Sequence, residues 1–322
     1  RLKVNNCGKV IVAQKDYLDK QLDVIAERGR KNGAEIEIIN EKELKQLIPE
    51  ARTSCGRAIW SPNTKIVKPT EILNALKSDL IKKGVRFYLS QKEYRIIVKD
   101  QKILLKNEAA IQYDHFINCA GLQADKIAHL FNVGKEYSII PFKGMYWELN
   151  KNCPFTLKRN LYPVPDLNMP FLGVHFTPGA NESQAVSIGP TATFAWGREN
   201  YKGLEAIEPL VSIKNLAILS KNYIFNENSI RRYIHEQSLL AYSPFLIRAA
   251  KELVPSISLK HIQLSQKVGI RSQLFNNQTK KLEDDFLCLG GVSSTHILNA
   301  ISPAFTASFE LADLVINMSK IS

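Results

Sequence analysis

The sequence has 322 residues, which is enough for one large domain or two intertwined domains with a sizeable core. Its hydrophobic fraction of 45% and charged fraction of 23% are typical of a globular protein, and no apolar run approaches the roughly 20 residues of a membrane span. The net charge of +12 comes with lysines that are spread along the chain without interleaved aromatic residues, which predicts a solvated basic surface and no nucleic-acid partner. Five cysteines without a CxxC pair exclude a zinc or redox motif and favour reduced thiols in a cytoplasmic protein.

Helices and short strands alternate in the first third of the chain. Hydrophobic periodicity predicts helices from about Asp16 to Gly33, over residues 41–47, and from Pro69 to Gly84. Proline suits the first turn of a helix and glycine suits its end. Short apolar runs predict strands at residues 10–13, 35–39, 85–89, 94–98, 103–106 and 115–119.

The middle third is predicted to be an antiparallel sheet, because strand-like runs at 144–149, 171–176 and 185–188 are separated by Pro, Asn and Gly turns. Helices are predicted around 204–223 and 244–253. The last segment returns to a strand at 286–289, a glycine turn, and a helix from Pro303 to about Ile316. A helix–strand layer interrupted by an antiparallel sheet predicts an α+β or α/β enzyme with two domains that share the chain discontinuously.

The segment from Gly290 to Ala304 is the most informative part of the sequence. A glycine pair at a strand end lets a ligand approach the backbone closely, and Ser302 and Pro303 suit the N-cap and first residue of a helix. The N-terminus of that helix would favour an electron-rich ligand group. A strand–helix turn without any ligand explains the same pattern equally well.

Two further patterns point more weakly to ligands. Ala120 and Gly121 end an apolar strand and leave room there for a phosphate group or an extended ligand chain. Arg271, two residues after Gly269, has the fork geometry that clamps a carboxylate, although a surface arginine is the simpler interpretation.

A longer stretch carries a family resemblance. Residues 161–176, with the sequence LYPVPDLNMPFLGVHF, closely resemble the long signature of L-2-hydroxyglutarate dehydrogenases and oxidases. The runs at 6–9, 141–146 and 284–287 are similar too, as are His296, Asn299-Ala300 and Ser302-Pro303-Ala304. The resemblance is collinear over essentially the whole chain and extends to the wider D-amino-acid-oxidase-like superfamily of FAD enzymes.

The resemblance implies an FAD-dependent enzyme that oxidises L-2-hydroxyglutarate, or a similar 2-hydroxy dicarboxylate, to 2-oxoglutarate. It implies a catalytic base at His296 or His175, although a histidine on a strand is more often structural. Substrate contacts are expected from Arg271, Lys143 and Tyr162. Cofactor contacts are expected from Ala120, Gly121, Gly290, Gly291, Ser293, Asn299, Ala300, Pro303 and Ala304. The electron acceptor is left open between oxygen and a quinone pool, the latter through a peripheral contact at the inner face of the membrane.

One departure from the family concerns the motif that binds the cofactor. Family members open with a strand, a GxGxxG turn and a helix that hold the FAD pyrophosphate, and no GxGxxG occurs among these 322 residues. The sequence therefore predicts a discontinuous, Rossmann-like but N-terminally truncated FAD-binding domain together with an antiparallel-sheet substrate domain, and poor FAD binding by this chain alone. Three hypotheses remain: an enzyme whose first part is not in this sequence, a split enzyme completed by a separate N-terminal FAD-binding polypeptide, and a catalytically inactive remnant.

The change from helix–strand alternation to proline-punctuated strands predicts the domain borders. Residues 1–67 and 135–265 are expected to form the substrate domain, and residues 68–134 and 266–322 the FAD-binding domain. Seven predicted site residues are expected to converge on one cavity between these domains: Gly290, Gly291, His296, Asn299, Arg271, Tyr162 and His175.

Overall fold

The fold is that of a computed structural model, which describes residues 2–106, 109–165, 173–181, 184–225, 239–240 and 242–319. Residues 166–172, which hold part of the family signature and the start of the strand predicted at 171–176, lie outside the described residues. No helix within the described ranges is long and apolar enough to cross a membrane.

Helices and strands both run through the described chain, and the longest strands have 13 and 15 residues. The α-helices are α1 (Asp19–Lys31), α2 (Glu41–Leu47), α3 (Pro69–Lys82), α4 (Ala124–Leu130), α5 (Pro209–Phe225), α6 (Ser243–Lys251) and α7 (Ser308–Ser319). The strands are β1 (Val4–Asn5), β2 (Lys9–Val12), β3 (Glu37–Asn40), β4 (Arg57–Ser61), β5 (Ile66–Val67), β6 (Tyr94–Ile97), β7 (Lys102–Leu105), β8 (Ile111–Gln112), β9 (Phe116–Asn118), β10 (Tyr137–Leu149), β11 (Asn160–Pro163), β12 (His175–Thr177), β13 (Ser187–Gly189), β14 (Thr193–Phe194), β15 (Ile262–Asn276), β16 (Lys281–Leu282), β17 (Leu287–Gly291) and β18 (Ser294–Asn299).

The chain forms two compact units, each assembled from three separate stretches. Unit 1 comprises Arg1–Gly84, Lys143–Thr193 and Arg232–Gly269, and unit 2 comprises Val85–Phe142, Phe194–Arg231 and Ile270–Ser322. The mixture of helices with several sheets confirms the predicted α+β or α/β class. The domain borders inferred from the sequence stay a prediction.

Unit 1 is built on a sheet with the strand order β15-β10-β13-β12-β11-β2-β4-β3. β11 and β2 pair in parallel, whereas the pairs β10–β13, β13–β12, β12–β11, β2–β4 and β4–β3 are antiparallel. One face of this sheet carries the main core. Val10, Leu161, Phe176 and Ile188 lie on four different strands, are each 0% exposed, and belong to the same apolar cluster as side chains of α2 and α6.

The opposite face of the same sheet has a different character. Because side chains alternate along a strand, the neighbours of the core residues point away from the core. Leu161 is paired with Phe176, so the residues next to them on β11 and β12 share the second face. At the β2–β4 end, α1 covers this face with apolar side chains. We call the part formed by five other side chains the polar face: Lys9, Tyr146, Tyr162, His175 and Lys267.

Unit 2 contains a three-stranded sheet with the order β17-β18-β9. The central strand β18 pairs antiparallel with β17 and parallel with β9, which joins segments that are far apart in the sequence. Cys288 lies on β17 of this sheet, and Cys119 directly follows β9. Helix α4 follows β9 and packs Ala124 and Ala128 into a cluster with Leu298, as in a strand–helix unit of an α/β layer.

A buried ion pair in unit 2 fixes the turn between β9 and α4. Asp125 is 3% exposed and Arg198 is 5% exposed. Nη2 of Arg198 donates to Oδ2 of Asp125 at 2.9 Å, and its Nη1 donates to Oδ1 and to the carbonyl oxygen of Leu122. The amide of Ile139 donates to the same carboxylate at 2.9 Å. Burial alone would raise the pKa of Asp125, but the hydrogen bonds from Arg198 lower it.

The segment after β17 folds as a β-hairpin rather than as the predicted strand, turn and helix. β17 and β18 are joined by Val292 and Ser293, and Ser293 has a φ of 50°, which suits a two-residue hairpin loop. The prediction was wrong because Gly290 and Gly291 were taken for a turn. They are the last two residues of β17, and the turn follows at Val292 and Ser293.

Two other predictions at the element level are wrong. The strand expected at 85–89 does not form, and its side chains are exposed, for example Leu89 at 58%, because an extended apolar run needs a partner strand to become part of a sheet. The last helix begins at Ser308 instead of Pro303. The amides of Ala304 and Ala307 donate to the carbonyl oxygens of Ile301 and Pro303, so the residues between β18 and α7 form successive turns that redirect the chain.

Breaking the buried ion pair is expected to destabilise the protein strongly. Arg198→Met leaves the Asp125 carboxylate buried without its counter-charge, which should lower the free energy of unfolding by about 3–5 kcal/mol in urea denaturation followed by circular dichroism. The matched control is Lys126→Gln, which breaks the exposed Lys126–Glu208 pair and should cost less than about 1 kcal/mol. Equal losses of unfolding free energy in both variants would contradict the buried ion pair between Arg198 and Asp125.

Candidate functional site

Two aromatic rings stack on the polar face. The ring centroids of Tyr162 and His175 are 4.0 Å apart and the ring planes meet at 16°. Nδ1 of His175 lies 2.9 Å from the carbonyl oxygen of Gly173. Because a carbonyl oxygen only accepts, Nδ1 carries a hydrogen and Nε2 is the acceptor in the neutral ring. Burial raises the pKa of Tyr162 against the effect of a hydrogen bond with Thr177, so its hydroxyl group keeps its proton at neutral pH.

Two lysines lie over tyrosine rings on the same face. Nζ of Lys9 is 5.1 Å from the ring centroid of Tyr162, and Nζ of Lys267 is 4.2 Å from that of Tyr146. Desolvation lowers the pKa of Lys9 and that of Lys267, although the side chain of Lys267 as a whole is exposed. Sequence reasoning missed both lysines. The signal for Lys9 was its position in an otherwise apolar strand, on the side opposite the core.

The other predicted substrate residues lie in both units. Lys143 is on β10 in unit 1, where burial lowers its pKa, and its carbonyl oxygen accepts from Oγ1 of Thr193 at 3.2 Å. Arg271 is on β15 in unit 2. The structure thus brings Tyr162 and His175 together within unit 1. Their convergence with Arg271 and with the predicted residues of β17 and β18 stays a prediction.

His296 lies inside unit 2 on the central strand β18 and is 0% exposed. Nδ2 of Asn118 is 3.1 Å from Nδ1 of His296, and the ring meets that of Phe131 edge-on at 4.9 Å. Burial, with a smaller contribution from His115, lowers the pKa of His296 to about 4. The imidazole is therefore neutral at pH 7, and its buried Nε2 has no hydrogen-bond partner among the described residues. Its role as a base stays a prediction.

The predicted cofactor residues fall at opposite ends of the β17-β18-β9 sheet. Gly290, Gly291 and Ser293 are at the tip of the hairpin, where the amide of Phe116 donates to the carbonyl oxygen of Ser293 at 2.9 Å. The carboxyl ends of the parallel strands β9 and β18 are the usual ligand-binding edge of such a sheet. Four of the predicted residues lie at that edge, and two more lie in the turns that follow it: Ala120, Gly121, Asn299 and Ala300, then Pro303 and Ala304.

The carboxyl edge has open backbone and an unsatisfied acceptor. Gly121 has a φ of 52°, and no atom lies within 4 Å of the position that a Cβ would take. Nδ2 of Asn299 donates to the carbonyl oxygen of Asp285 at 2.7 Å, whereas its buried Oδ1 has no partner within the described ranges. At the hairpin tip the backbone of Gly291 is covered by the protein on one side, since a Cβ on Gly291 would lie 2.6 Å from Oγ of Ser294.

Comparisons with known proteins agree on one family. A family model described as FAD dependent oxidoreductase matches residues 2–318. The chain is 29% identical over 340 residues to the mitochondrial L-2-hydroxyglutarate dehydrogenase of Nematostella vectensis, covering 96% of this chain and 71% of the relative. It is 26% identical over 338 residues to the human enzyme of the same name, covering 98% of this chain and 70% of the relative.

Solved structures show the same fold. The FAD-bound, dithionite-reduced L-alpha-glycerophosphate oxidase of Mycoplasma pneumoniae has a TM-score of 0.68 and 17% identity, and the match covers 100% of this chain and 74% of that one. Glycine oxidase of Bacillus cereus has a TM-score of 0.59 and 14% identity, covering 98% and 74% of the two chains. The family match identifies FAD as the cofactor. The open backbone at Gly121 and the unpaired Oδ1 of Asn299 fit a flavin, whose ring system carries both N–H and carbonyl groups.

The burial of His296 should make stability depend on pH. Because its folded pKa of about 4 is below the ordinary value of 6.5, the unfolded chain takes up a proton that the folded chain excludes, and stability falls as the pH drops through this window. At pH 5.0 the loss relative to pH 7.5 should be about 2 kcal/mol from this residue, at about 1.4 kcal/mol per pH unit. In His296→Gln, the difference in the free energy of unfolding between pH 7.5 and pH 5.0 should be smaller by that amount. An unchanged difference would contradict the burial of a neutral imidazole.

Proposed function

Because the chain belongs to the FAD dependent oxidoreductase family, we propose that it oxidises L-2-hydroxyglutarate to 2-oxoglutarate. The observation that carries this proposal is the collinear similarity to L-2-hydroxyglutarate dehydrogenases over nearly the whole chain. The polar face supports it independently, since two lysines, two tyrosines and a histidine suit an anionic hydroxy acid better than an apolar substrate.

Oxidation of a 2-hydroxy acid removes a hydride from C2 and a proton from the hydroxyl group. FAD, when bound, accepts the hydride. We assign the proton to Nε2 of His175, because the bond from Nδ1 to Gly173 makes Nε2 the acceptor and the stack on Tyr162 fixes the plane of the ring. His296 is the alternative base, and its complete burial argues against contact with a substrate.

We propose that the cofactor's flavin end lies at the carboxyl ends of β9 and β18, against Gly121 and Asn299. The pyrophosphate is held in this fold class by a GxGxxG turn, a motif that the 322 residues do not contain. Among the described residues β9 pairs only with β18, so its outer edge is available to one more strand. A segment outside these residues, on the same or a separate polypeptide, would complete the cofactor site.

The 322 residues alone should bind FAD weakly and be colourless after purification. Adding a polypeptide that carries a strand, a GxGxxG turn and a helix should restore flavin absorbance. The reconstituted protein should then oxidise L-2-hydroxyglutarate but not its D-enantiomer, measured by reduction of a dye acceptor. A yellow preparation of the 322 residues alone would contradict the missing-segment proposal. A flavin-loaded protein that leaves L-2-hydroxyglutarate unoxidised would contradict the substrate.

Replacing the proposed base should affect turnover more than binding. In the flavin-loaded protein, His175→Gln should lower kcat by about 100-fold or more, because general base catalysis contributes roughly 10²–10⁴-fold, while KM should change little. The matched variant is His296→Gln, for which we expect a change in stability and a kcat close to that of the parent. The reverse result, with kcat lost in His296→Gln only, would transfer the role to His296.

A further inference from the structure

The two lysines of the polar face combine partial desolvation with an aromatic contact, and neither forms an ion pair within the described ranges. Lys15 lies 2.9 Å from Glu252 and Lys126 lies 2.9 Å from Glu208, both in ion pairs. Lys9 and Lys267 have no carboxylate within ion-pair distance among the residues that the structure describes. Each has a tyrosine ring beneath its ammonium group instead.

Partial desolvation of an ammonium group without a counter-charge is energetically unfavourable. Desolvation is the largest influence on the pKa of Lys9 and the cause of the lowered pKa of Lys267. A cation over a tyrosine ring recovers part of this cost, but less than a charge-assisted hydrogen bond to a carboxylate can supply. An anionic ligand on this face would offset the remaining cost at both lysines.

The two lysines reach the face from different parts of the sheet. Lys9 is on β2, next to β11, and Lys267 is on β15, next to β10. Their partner rings, Tyr162 and Tyr146, lie on the strands between. Tyr162 stacks on His175, His175 pairs with Gly189 of β13, and Tyr146 lies beside Gly189, so the two rings belong to one row across the sheet. The two ammonium groups therefore lie on either side of a pair of tyrosine rings. This arrangement suits a ligand with an anionic group at each end.

We propose that Lys9 and Lys267 bind the two carboxylate groups of a short dicarboxylate on the polar face, and that this pair sets the preference for dicarboxylates over monocarboxylates. The inference rests on the proposed function and adds two residues to it. Each lysine donates to one carboxylate, and the tyrosine rings contact the carbon chain between them. The lysines are specificity-determining residues and take no part in proton or hydride transfer.

Ligand binding to the chain without flavin tests the pair directly. Isothermal titration calorimetry compares the dianion 2-oxoglutarate with the monoanion 2-oxobutyrate, for the parent, Lys9→Met and Lys267→Met. Each variant should weaken 2-oxoglutarate binding by about 10- to 100-fold, as expected for loss of one charge-assisted hydrogen bond. Binding of 2-oxobutyrate should weaken in only one of the two variants, since it has only one carboxylate.

The matched control is Lys42→Met, which removes an exposed lysine of α2 in the same unit and should leave both affinities unchanged. Thermal unfolding of all variants separates a loss of binding from a loss of fold. The proposal is overturned if the parent does not bind 2-oxoglutarate, or if Lys9→Met and Lys267→Met bind it as Lys42→Met does. Lysine-dependent binding of 2-oxoglutarate in a protein that does not oxidise L-2-hydroxyglutarate would refute only the proposed reaction. Oxidation that is indifferent to both lysines would refute only this inference.

Discussion

The register of β11 against β12 decides which side chains of unit 1 reach the polar face. Leu161 lies opposite Phe176, and both are fully buried on the core face. A slip of one residue would turn these side chains outward and drive Tyr162 and His175 into the core. Since full burial of a large apolar side chain contributes roughly 1.5–3 kcal/mol, such a slip would cost several kcal/mol. The apolar face therefore fixes the polar one, with no need for the polar groups to attract one another.

In unit 2 the buried side chain of Asn118 fixes how two neighbouring strands and the following turn are arranged. The Asn118 side chain donates to the carbonyl oxygen of Ala124 at 2.8 Å, lies 3.1 Å from Nδ1 of His296, and accepts from the amide of Ala120 at 3.1 Å. A buried amide left without these partners would be costly, so the three contacts constrain one another. They tie β9 to β18 and shape the turn that leads into Gly121. The proposed flavin edge is thus preformed by hydrogen bonds of the protein itself.

Much of the fold followed from local sequence patterns, because helices and strands carry their own periodicity. Pro69 and Gly84 bracket α3, and Asn40 with Glu43 forms the capping box that starts α2. The polar face did not follow, since Lys9 and Lys267 meet their tyrosines only through a strand order that no local pattern encodes. The hairpin was missed for a related reason: Gly290 and Gly291 have the composition of a turn, and only pairing with β18 makes them part of a strand.

The two candidate histidines show why residue type and family resemblance leave a role undecided. Both lie on strands, and both are largely or wholly buried. His296 has an amide donor at Nδ1 and an aromatic edge beside it, an environment that holds the ring neutral and encloses it. His175 has a backbone acceptor at Nδ1, which puts the hydrogen there and makes the opposite nitrogen a proton acceptor. In the neutral state His296 therefore carries its hydrogen on Nε2, whereas His175 carries it on Nδ1.

A base must accept a proton from a bound ligand, and of these two rings only that of His175 shares a surface with groups that suit an anion. The difference arises from the neighbours of each ring, which the sequence specifies only through the fold.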